Sequence, residues 1–312
     1  MSFRPKVALK KSLVKVFHLG QRLGVDILPR HFYSEIPNIP KLRATEHWRR
    51  PYTMVGVSGM EPESQLAFVR GAVTLAVQQY LEQHDVQAEA ARENGAMGYG
   101  PIESRILFAF VATNRPQRIV QIGCGVSTAL CIAAGKLAGY RPEITCVEPY
   151  PSGYLKSAAA RGDVKLIDQP VEHIGLDFFK HLGDGDLFFV DSTHTLGPAG
   201  EVTRIIVEML PRMRRGVFVH FHDIFFPYDY APQILRDSMF FWHESPLLHA
   251  FLCMNPSYTV RASMSWLHHH RQRELAEIFP QYRPMRMMNG LGEDGDFPSS
   301  IYLQVVGEPA VR

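Results

Sequence analysis

The chain has 312 residues, of which 46% are hydrophobic and 21% are charged, and its formal net charge is +2. This composition is typical of a globular protein that buries one or two cores, and it excludes a chain that is disordered throughout. The near balance of charge provides no strong field for a polyphosphate, so we expect no nucleic-acid partner. The four cysteines, Cys124, Cys131, Cys146 and Cys253, lack CxxC spacing, which favours reduced thiols in a cytoplasmic protein.

The first thirty residues combine basic side chains with apolar residues at helical spacing. Leu13, Val14, Phe17 and Leu23 are interspersed among seven Lys or Arg residues. Because no continuous apolar run occurs, we expect neither a signal peptide nor a membrane span. A basic amphipathic helix can lie on an anionic membrane, but it more often packs on its own domain or on another subunit. We therefore favour packing here, including a homo-oligomer contact, over contact with a membrane surface.

Two helices are predicted before the main domain. Residues 30–51 have no periodicity and are interpreted as a connector. Residues 61–83 place Leu66, Val69 and Val73 on one helical face, and residues 101–114 repeat that pattern. We expect residues 1–100 to form an N-terminal extension and helical cap.

Strands alternate with helices after residue 114. Five apolar strand patterns are separated by helical ones, at residues 118–123, 144–149, 164–168, 186–194 and 216–223. This alternation predicts βαβ units and a parallel sheet covered on both faces, which is an α/β, doubly wound fold over residues 101–312. Two later strand candidates, 257–262 and 300–306, suit a terminal hairpin at one edge of the sheet.

In open sheets of this kind, ligands bind at the carboxyl ends of the strands. Gly123 and Gly125 follow the first strand and open a helix, where the small residues let a ligand approach the backbone. Glu148 ends the second strand, where a carboxylate can accept both hydroxyls of a ribose. The pattern indicates a nucleoside-containing cofactor, although a tight turn beside an ordinary surface carboxylate would look the same.

Five longer stretches carry a family resemblance. They are "IVQIGCGVSTAL", "ITCVEPYP", "DLFFVDSTHTLGPAGEV", "LPRMRRGVFVHFHDIFFPYDYAP" and "FFWHESPLLHAFLCMNPSYTV". Together they resemble the class I S-adenosylmethionine-dependent methyltransferases, and more narrowly a bacterial subfamily with His-Asp after strand five and a Phe/Pro/Tyr-rich loop. The resemblance runs from about residue 51 to residue 306 and implies a seven-stranded sheet whose last strand is antiparallel.

The resemblance also implies where the cofactor binds. Gly123 and Gly125 would line its methionine part, Glu148 its ribose, and the loop at residues 168–171 its adenine. The full set of expected cofactor-binding residues is Gln121, Gly123, Gly125, Ser127, Glu148, Asp168, Gln169 and Asp191. Two positions depart from the family pattern.

The first departure is Gln121, which stands where the family usually has a carboxylate and offers no charge to an ammonium. The second is Ser127, which replaces the third glycine of the common motif. Its presence argues against a nicotinamide dinucleotide, whose pyrophosphate needs that close approach of the helix.

Three histidines, His194, His220 and His222, lie near the ends of strands four and five. Methyl transfer to a hydroxyl needs a base for its proton, and an imidazole with a pKa of about 6.5 is suited to that task. For any single one of them, a core histidine bonded to a backbone carbonyl is an equal alternative. We expect His194, His222 and Asp223 to be catalytic.

A divalent metal is the remaining hypothesis for these strand ends. Asp191, His194, His222 and Asp223 can converge if strands four and five are neighbours. The arrangement resembles metal-dependent sugar O-methyltransferases, which implies Asp191, His222 and Asp223 as ligands and His194 as the base. An imidazole ligand favours Mn, Fe or Zn over Mg. The alternative is a metal-free site in which the aspartates orient the histidines.

We therefore expect a cytoplasmic methyltransferase that acts on an oxygen of a small polar acceptor, such as a sugar or a natural product. One alternative, favoured by Gln121, is a degenerate member that serves as an interaction subunit, and a second is a nicotinamide-dependent oxidoreductase. Residues 95–101 and 225–242 are expected to shape the acceptor pocket. His268 to His270 are expected on a solvated helix face, because consecutive helical side chains diverge.

Overall fold

The chain divides into two compact units, which we call the N-terminal unit, Met1–Leu42, and the sheet unit, Arg43–Arg312. The computed structural model describes residues 4–32, 34–44, 50–231, 234–235, 238–285 and 295–308. The helices between residues 62 and 94 lie in the same compact unit as the sheet. The functional boundary at residue 100 stays a prediction.

The N-terminal unit contains helix α1, Arg4–Arg22, and most of the short helix α2, Ile39–Ala44. Helix α2 lies within the predicted connector and is too short for a periodic pattern to reveal it. Of the residues from 12 to 42 whose exposure is described, only Gly20 is buried. These residues therefore form no apolar core of their own.

The sheet unit alternates helices with seven strands. In chain order they are α3 Pro62–Ala72, α4 Leu75–Gln83, α5 Val86–Asn94, α6 Pro101–Asn114, β1 Arg118–Ile122, α7 Val126–Leu137, β2 Glu143–Val147, α8 Gly153–Ala160, β3 Lys165–Ile167, β4 Leu187–Val190, α9 Glu201–Thr203, β5 Phe218–Phe221, α10 Glu244–Leu252, β6 Tyr258–Ser263, α11 Met264–His270, α12 Gln272–Ile278 and β7 Ile301–Val305. Helix α9 continues through a π-helical turn, Arg204–Met209.

The predicted helix at 61–83 is two helices, α3 and α4. The break falls at Val73 and Thr74, whose backbones are both non-helical, and the Thr74 hydroxyl accepts a hydrogen bond from the Val77 N–H to cap α4. A threonine within an apolar pattern does not reveal this break, because the periodicity on either side is the same. Helix α5 was not predicted.

The strand order across the sheet is β3-β2-β1-β4-β5-β7-β6. Strands β1 to β5 pair in parallel, and β7 runs antiparallel to both β5 and β6. This confirms the doubly wound, mostly parallel seven-stranded sheet with an antiparallel last strand. Strands β6 and β7 pair as expected, but α11 and α12 lie between them in the chain, so they are not a simple hairpin.

Alternate residues of the central strands pack on opposite faces of the sheet. Ile119 and Phe189 belong to the apolar core that includes α6 and α7, whereas Val120 and Val190 belong to the core on the other face. Both faces are therefore covered, which is why the strands read as continuous apolar runs. The chain winds outward from β1 in two directions, and the carboxyl ends of β1 and β4 meet at that switch point.

The three consecutive histidines of α11 are not a solvated face, so that prediction was wrong. His268 is fully buried and its Nδ1 bonds to the Tyr282 hydroxyl, while His269 packs near the Phe297 ring, and only His270 is exposed. The chain turns back after α12 and covers α11. No local sequence pattern predicts this covering. Burial lowers the pKa of His268 to about 4. In the part of the chain that the structure describes, we find no helix long and apolar enough to cross a membrane.

Candidate active site

The glycine turn between β1 and α7 forms the floor of a cavity. Gly123 has a φ of +77°, and a Cβ there would lie 1.9 Å from the backbone oxygen of Asp191. The Asp191 N–H in turn donates to the carbonyl of Ile122, which extends the β1–β4 ladder past the end of the strands. Only glycine fits at position 123, because both the backbone conformation and the close approach of β4 exclude a side chain.

The cavity has a volume of about 230 Å³. It is lined by Asn94, Met97, Gly98, Tyr99, Gly123, Cys124, Gly125, Val126, Ser127, Glu148 and Asp191. Five of the eight expected cofactor-binding residues are in that set. Residues 97–99 belong to the glycine-rich segment that we expected at the acceptor pocket, and they line this cavity together with the expected cofactor residues. Gln121, Asp168 and Gln169 do not line it.

Glu148 follows β2 and is held at the cavity by backbone donors. Its Oε2 accepts from the Cys124 N–H at 3.3 Å and its Oε1 accepts from the Tyr150 N–H at 2.9 Å. The carboxylate is half-buried, with acceptor capacity left for a ligand on its cavity side.

Gln121 lies beneath the glycine turn and is fully buried. Its Oε1 accepts from the Thr128 hydroxyl at 2.7 Å, and the same hydroxyl oxygen accepts from the Gly125 N–H at 3.2 Å. The neutral amide of Gln121 thus stabilises the glycine turn through the Thr128 hydroxyl. Asp168 and Gln169, at the end of β3, are exposed.

Asp191, His194, His222 and Asp223 come together at the ends of β4 and β5, and we call them the strand-end cluster. The His194 Nε2 lies 3.7 Å from Asp191 Oδ1 and 3.6 Å from Asp223 Oδ2. The His222 Nδ1 lies 3.4 Å from Asp191 Oδ1 and 3.6 Å from Asp223 Oδ2. The expected convergence of these four side chains is therefore confirmed.

Two members of the cluster have a strained backbone. His194 has a φ of 60° and Asp223 a φ of 55°, both in the left-handed region. That region costs a residue with a side chain about 1–2 kcal/mol. Such conformations persist only where the surrounding structure enforces them, and they are concentrated at functional sites.

A buried carboxylate holds the His194 ring. Glu244, fully buried at the start of α10, places Oε2 2.7 Å from His194 Nδ1, and its Oε1 accepts from the Ser192 hydroxyl at 3.0 Å. The N–H groups of His243 and Glu244 both donate to the His194 carbonyl. The Trp242 ring packs at 4.6 Å between centroids. Because a carboxylate accepts at Nδ1, the neutral ring carries its lone pair on Nε2, toward the two aspartates.

Sequence reasoning missed Glu244 and a second acid, Glu103. The Glu103 Oε1 accepts from the Ser299 N–H at 2.9 Å, and the Ser299 hydroxyl donates to Asp223 Oδ1 at 2.9 Å. The signal available in the sequence for Glu103 was an acidic residue within the apolar pattern of helix α6. Glu244 is 50 residues from His194, and no spacing links the two.

The charges of the strand-end cluster compensate one another. Burial lowers the pKa of His222, but Asp223 and Asp191 raise it more, to about 10. Burial likewise lowers the pKa of His194, and its hydrogen bond to Glu244 with the charges of Glu244, Asp223 and Asp191 raises it above the ordinary value. Burial raises the pKa of Asp191, yet the charge of His222 lowers it overall. With a pKa of about 10, His222 is therefore a cation at neutral pH.

His220 is a core histidine, as the alternative interpretation had it, but its partner is a side-chain hydroxyl and not a backbone carbonyl. It is fully buried, its Nε2 bonds to the Tyr99 hydroxyl at 2.9 Å, and it stacks on Phe189. Burial and the charge of His222 lower its pKa well below the ordinary value. It is neutral and supports Tyr99 in the cavity wall.

The metal hypothesis stays a prediction. Over the described residues we find no group of three or more His, Cys, Asp or Glu side chains arranged to hold a metal ion. In the strand-end cluster each carboxylate faces imidazole nitrogens, so its charge already has a partner. Of the aromatic segment 225–242, residues 232–233 and 236–237 lie outside the described part of the chain.

A seven-stranded sheet in this order, with one antiparallel strand and a glycine turn after β1, defines the class I methyltransferase fold. Residues 120–224 match the family model described as a methyltransferase domain, which spans β1 to the end of the strand-end cluster. A protein of Archaeoglobus fulgidus, described as uncharacterized, is 32% identical over 172 residues, which cover 53% of this chain and 77% of that protein.

Two solved structures are similar at lower identity. The SAH-bound methyltransferase of Podospora anserina has a TM-score of 0.41 at 17% identity, over 75% of this chain and 89% of its own. A putative caffeoyl-CoA O-methyltransferase from Staphylococcus aureus has a TM-score of 0.44 at 11% identity, over 74% and 97%. The sheet order and the family match together show that the chain has the class I methyltransferase fold and contains a methyltransferase domain at residues 120–224.

Proposed function

We propose that the protein transfers a methyl group from S-adenosylmethionine to a hydroxyl oxygen of a small polar acceptor, such as a sugar or a natural product. The observation that carries the proposal is the position of Asp191. It lines the glycine-turn cavity and also faces the imidazole of His194, which Glu244 holds. Asp191 therefore links the proposed base, His194, to the proposed cofactor cavity.

The cavity fits the cofactor in its chemistry. Gly123 and Gly125 leave the backbone open to close approach, and Glu148 offers carboxylate oxygens in the position expected for ribose hydroxyls. Asp168 and Gln169 are proposed to reach the adenine from the end of β3. When bound, the cofactor supplies an electrophilic methyl group on a sulfonium.

His194 is proposed to take the proton of the acceptor hydroxyl at Nε2; the methyl group would pass from the cofactor's sulfur to that oxygen, which would leave S-adenosylhomocysteine. Glu244 then stabilises the imidazolium through Nδ1, and the aspartates beside Nε2 favour the same charge. His222 carries its own positive charge between Asp191 and Asp223, so we assign it to charge balance and to holding Asp223 in place.

A metal-assisted version would use Asp191, His222 and Asp223 as ligands. Because His222 already pairs with both aspartates, we write the mechanism without a metal step. Turnover should persist in excess chelator, and Asp223→Asn should still lower it because Asp223 faces His194. Loss of turnover in chelator that a single metal restores would overturn the metal-free assignment.

Isothermal titration with S-adenosylmethionine and S-adenosylhomocysteine tests the proposal. We expect micromolar binding of both, and turnover in which a labelled methyl group appears on an acceptor oxygen. Failure of both to bind would favour the degenerate interaction subunit. A thermal shift with NADH and none with the methionine cofactor would favour the oxidoreductase instead.

A further inference from the structure

The N-terminal unit concentrates the positive charge of the protein. Residues 1–42 contain eight Lys or Arg and two acidic residues, whereas residues 43–312 contain 25 Lys or Arg and 29 acidic residues. Helix α1 has no acidic residue in its sequence. In the described chain no carboxylate pairs with Lys15, Arg22 or Arg30. The unit therefore has cations available for an external anion.

The same unit leaves large apolar side chains in water. Val14, Val16, Leu19, Leu23, Val25 and Leu28 each expose between 44% and 73% of their surface. Two of them, Val14 and Leu28, line a groove of about 630 Å³, together with residues that include Leu13, Phe17 and Arg30. Covering apolar groups this exposed with another apolar phase lowers the free energy of the system.

We infer that the N-terminal unit binds an anionic lipid surface, with its exposed apolar residues at the acyl boundary and Lys15, Arg22 and Arg30 at the lipid phosphates. Basic residues interleaved with exposed apolar ones are the chemistry that such a surface recognises. A second copy of the unit is disfavoured as the occupant, because each copy brings the same excess of positive charge. From the sequence alone we favoured packing on the protein's own domain or on another subunit, and the observed exposure of these side chains now favours a lipid surface.

The experiment is co-sedimentation of the full chain with vesicles of phosphatidylcholine alone or with part of it replaced by phosphatidylserine. We expect binding to the anionic vesicles only, weakened by high salt. The triple variant Lys15→Gln, Arg22→Gln, Arg30→Gln should lower the binding constant on the order of a hundredfold. The double variant Leu19→Asp, Leu23→Asp should also abolish binding.

Matched controls come from the sheet unit. Leu75 is 71% exposed, close to the 73% of Leu23, so Leu75→Asp should leave vesicle binding unchanged. Arg273, with 85% of its side chain exposed, provides the charge control as Arg273→Gln. Thermal unfolding of every variant checks that it is folded.

Three results would overturn the inference. The first is equal binding to both kinds of vesicle or to neither. The second is a dimer in solution that Leu23→Asp dissociates, which would make a second copy the occupant. The third is a fall in the unfolding temperature of the sheet unit in Leu23→Asp and not in Leu75→Asp, which would make the protein's own body the occupant.

Discussion

The glycine-turn cavity, where we propose that the cofactor binds, and the strand-end cluster, where we propose that the proton is transferred, are built in different ways. At the glycine-turn cavity, backbone groups position the residues: Gly123 turns the chain, and the N–H groups of Cys124 and Tyr150 donate to the Glu148 carboxylate. At the strand-end cluster, ionisable side chains hold one another, as His194 and Glu244 do. The backbone at Gly123 has no room for a side chain. A network of charged side chains can keep its structure when one member is substituted, but the pKa values of the remaining members then change. The two regions should therefore fail differently.

The largest effect is expected at the glycine turn. Gly123→Ala forces a Cβ against the Asp191 oxygen at a φ of +77°, so both the fold and the cofactor site should suffer. Gly139 is the matched control, with a φ of +66° and nothing within 4 Å of a Cβ. We expect Gly139→Ala to cost about 1–2 kcal/mol from strain alone, and Gly123→Ala to cost about 1–3 kcal/mol more. Equal free energies of unfolding in chemical denaturation would contradict the close approach.

Removing the base comes next. His194→Ala should lower kcat by about a hundredfold to ten-thousandfold while cofactor affinity stays near the parent value. The exposed His270 on α11 provides a control, and His270→Ala should have the parent kcat. A larger loss in His222→Ala than in His194→Ala, at equal cofactor affinity, would assign the base to the other imidazole.

At the glycine-turn cavity, Glu148→Ala should leave the fold intact and remove most cofactor affinity. Two charge-assisted hydrogen bonds to a ribose contribute on the order of 3 kcal/mol, which is more than a hundredfold in Kd. Glu143, at the start of the same strand with 70% of its side chain exposed, is the control. Unchanged binding of S-adenosylhomocysteine in Glu148→Ala, measured by titration, would show that the ribose lies elsewhere.

The smallest effect is expected from Glu244→Gln, which keeps the shape of the carboxylate and removes its charge. Loss of this charge-assisted hydrogen bond should lower kcat about tenfold to a hundredfold. The sign of the pH effect follows from His194, whose pKa Glu244 raises. Because the base must be neutral, the parent's activity rises with pH through that raised pKa, and the limb should move to lower pH in the variant. A purely structural role would lower kcat without moving the limb.

Some features of this fold and site are predictable from the sequence, and others are not. The glycine turn, the position of Glu148 after a strand and the alternation of strands with helices follow from local patterns, because a strand, a turn and a helix are each encoded by neighbouring residues. The convergence of Asp191, His194, His222 and Asp223 was expected only if strands four and five are neighbours, and the observed pairing of β4 with β5 meets that condition. The break at Thr74 and the burial of His268 do not, because each depends on a cap or on a segment that covers it.

The sequence by itself determined the α/β class, the glycine turn after β1 and the residues at the strand ends, because those depend on periodicity and on the direction of strands. Only the tertiary structure decided how those residues act. It buried Gln121 beneath the turn, brought Glu244 to His194 and Ser299 to Asp223, and left the apolar side chains of the N-terminal unit in water. The reason is physical: charge compensation and burial depend on which distant segments pack together, and spacing along the chain carries no record of that packing.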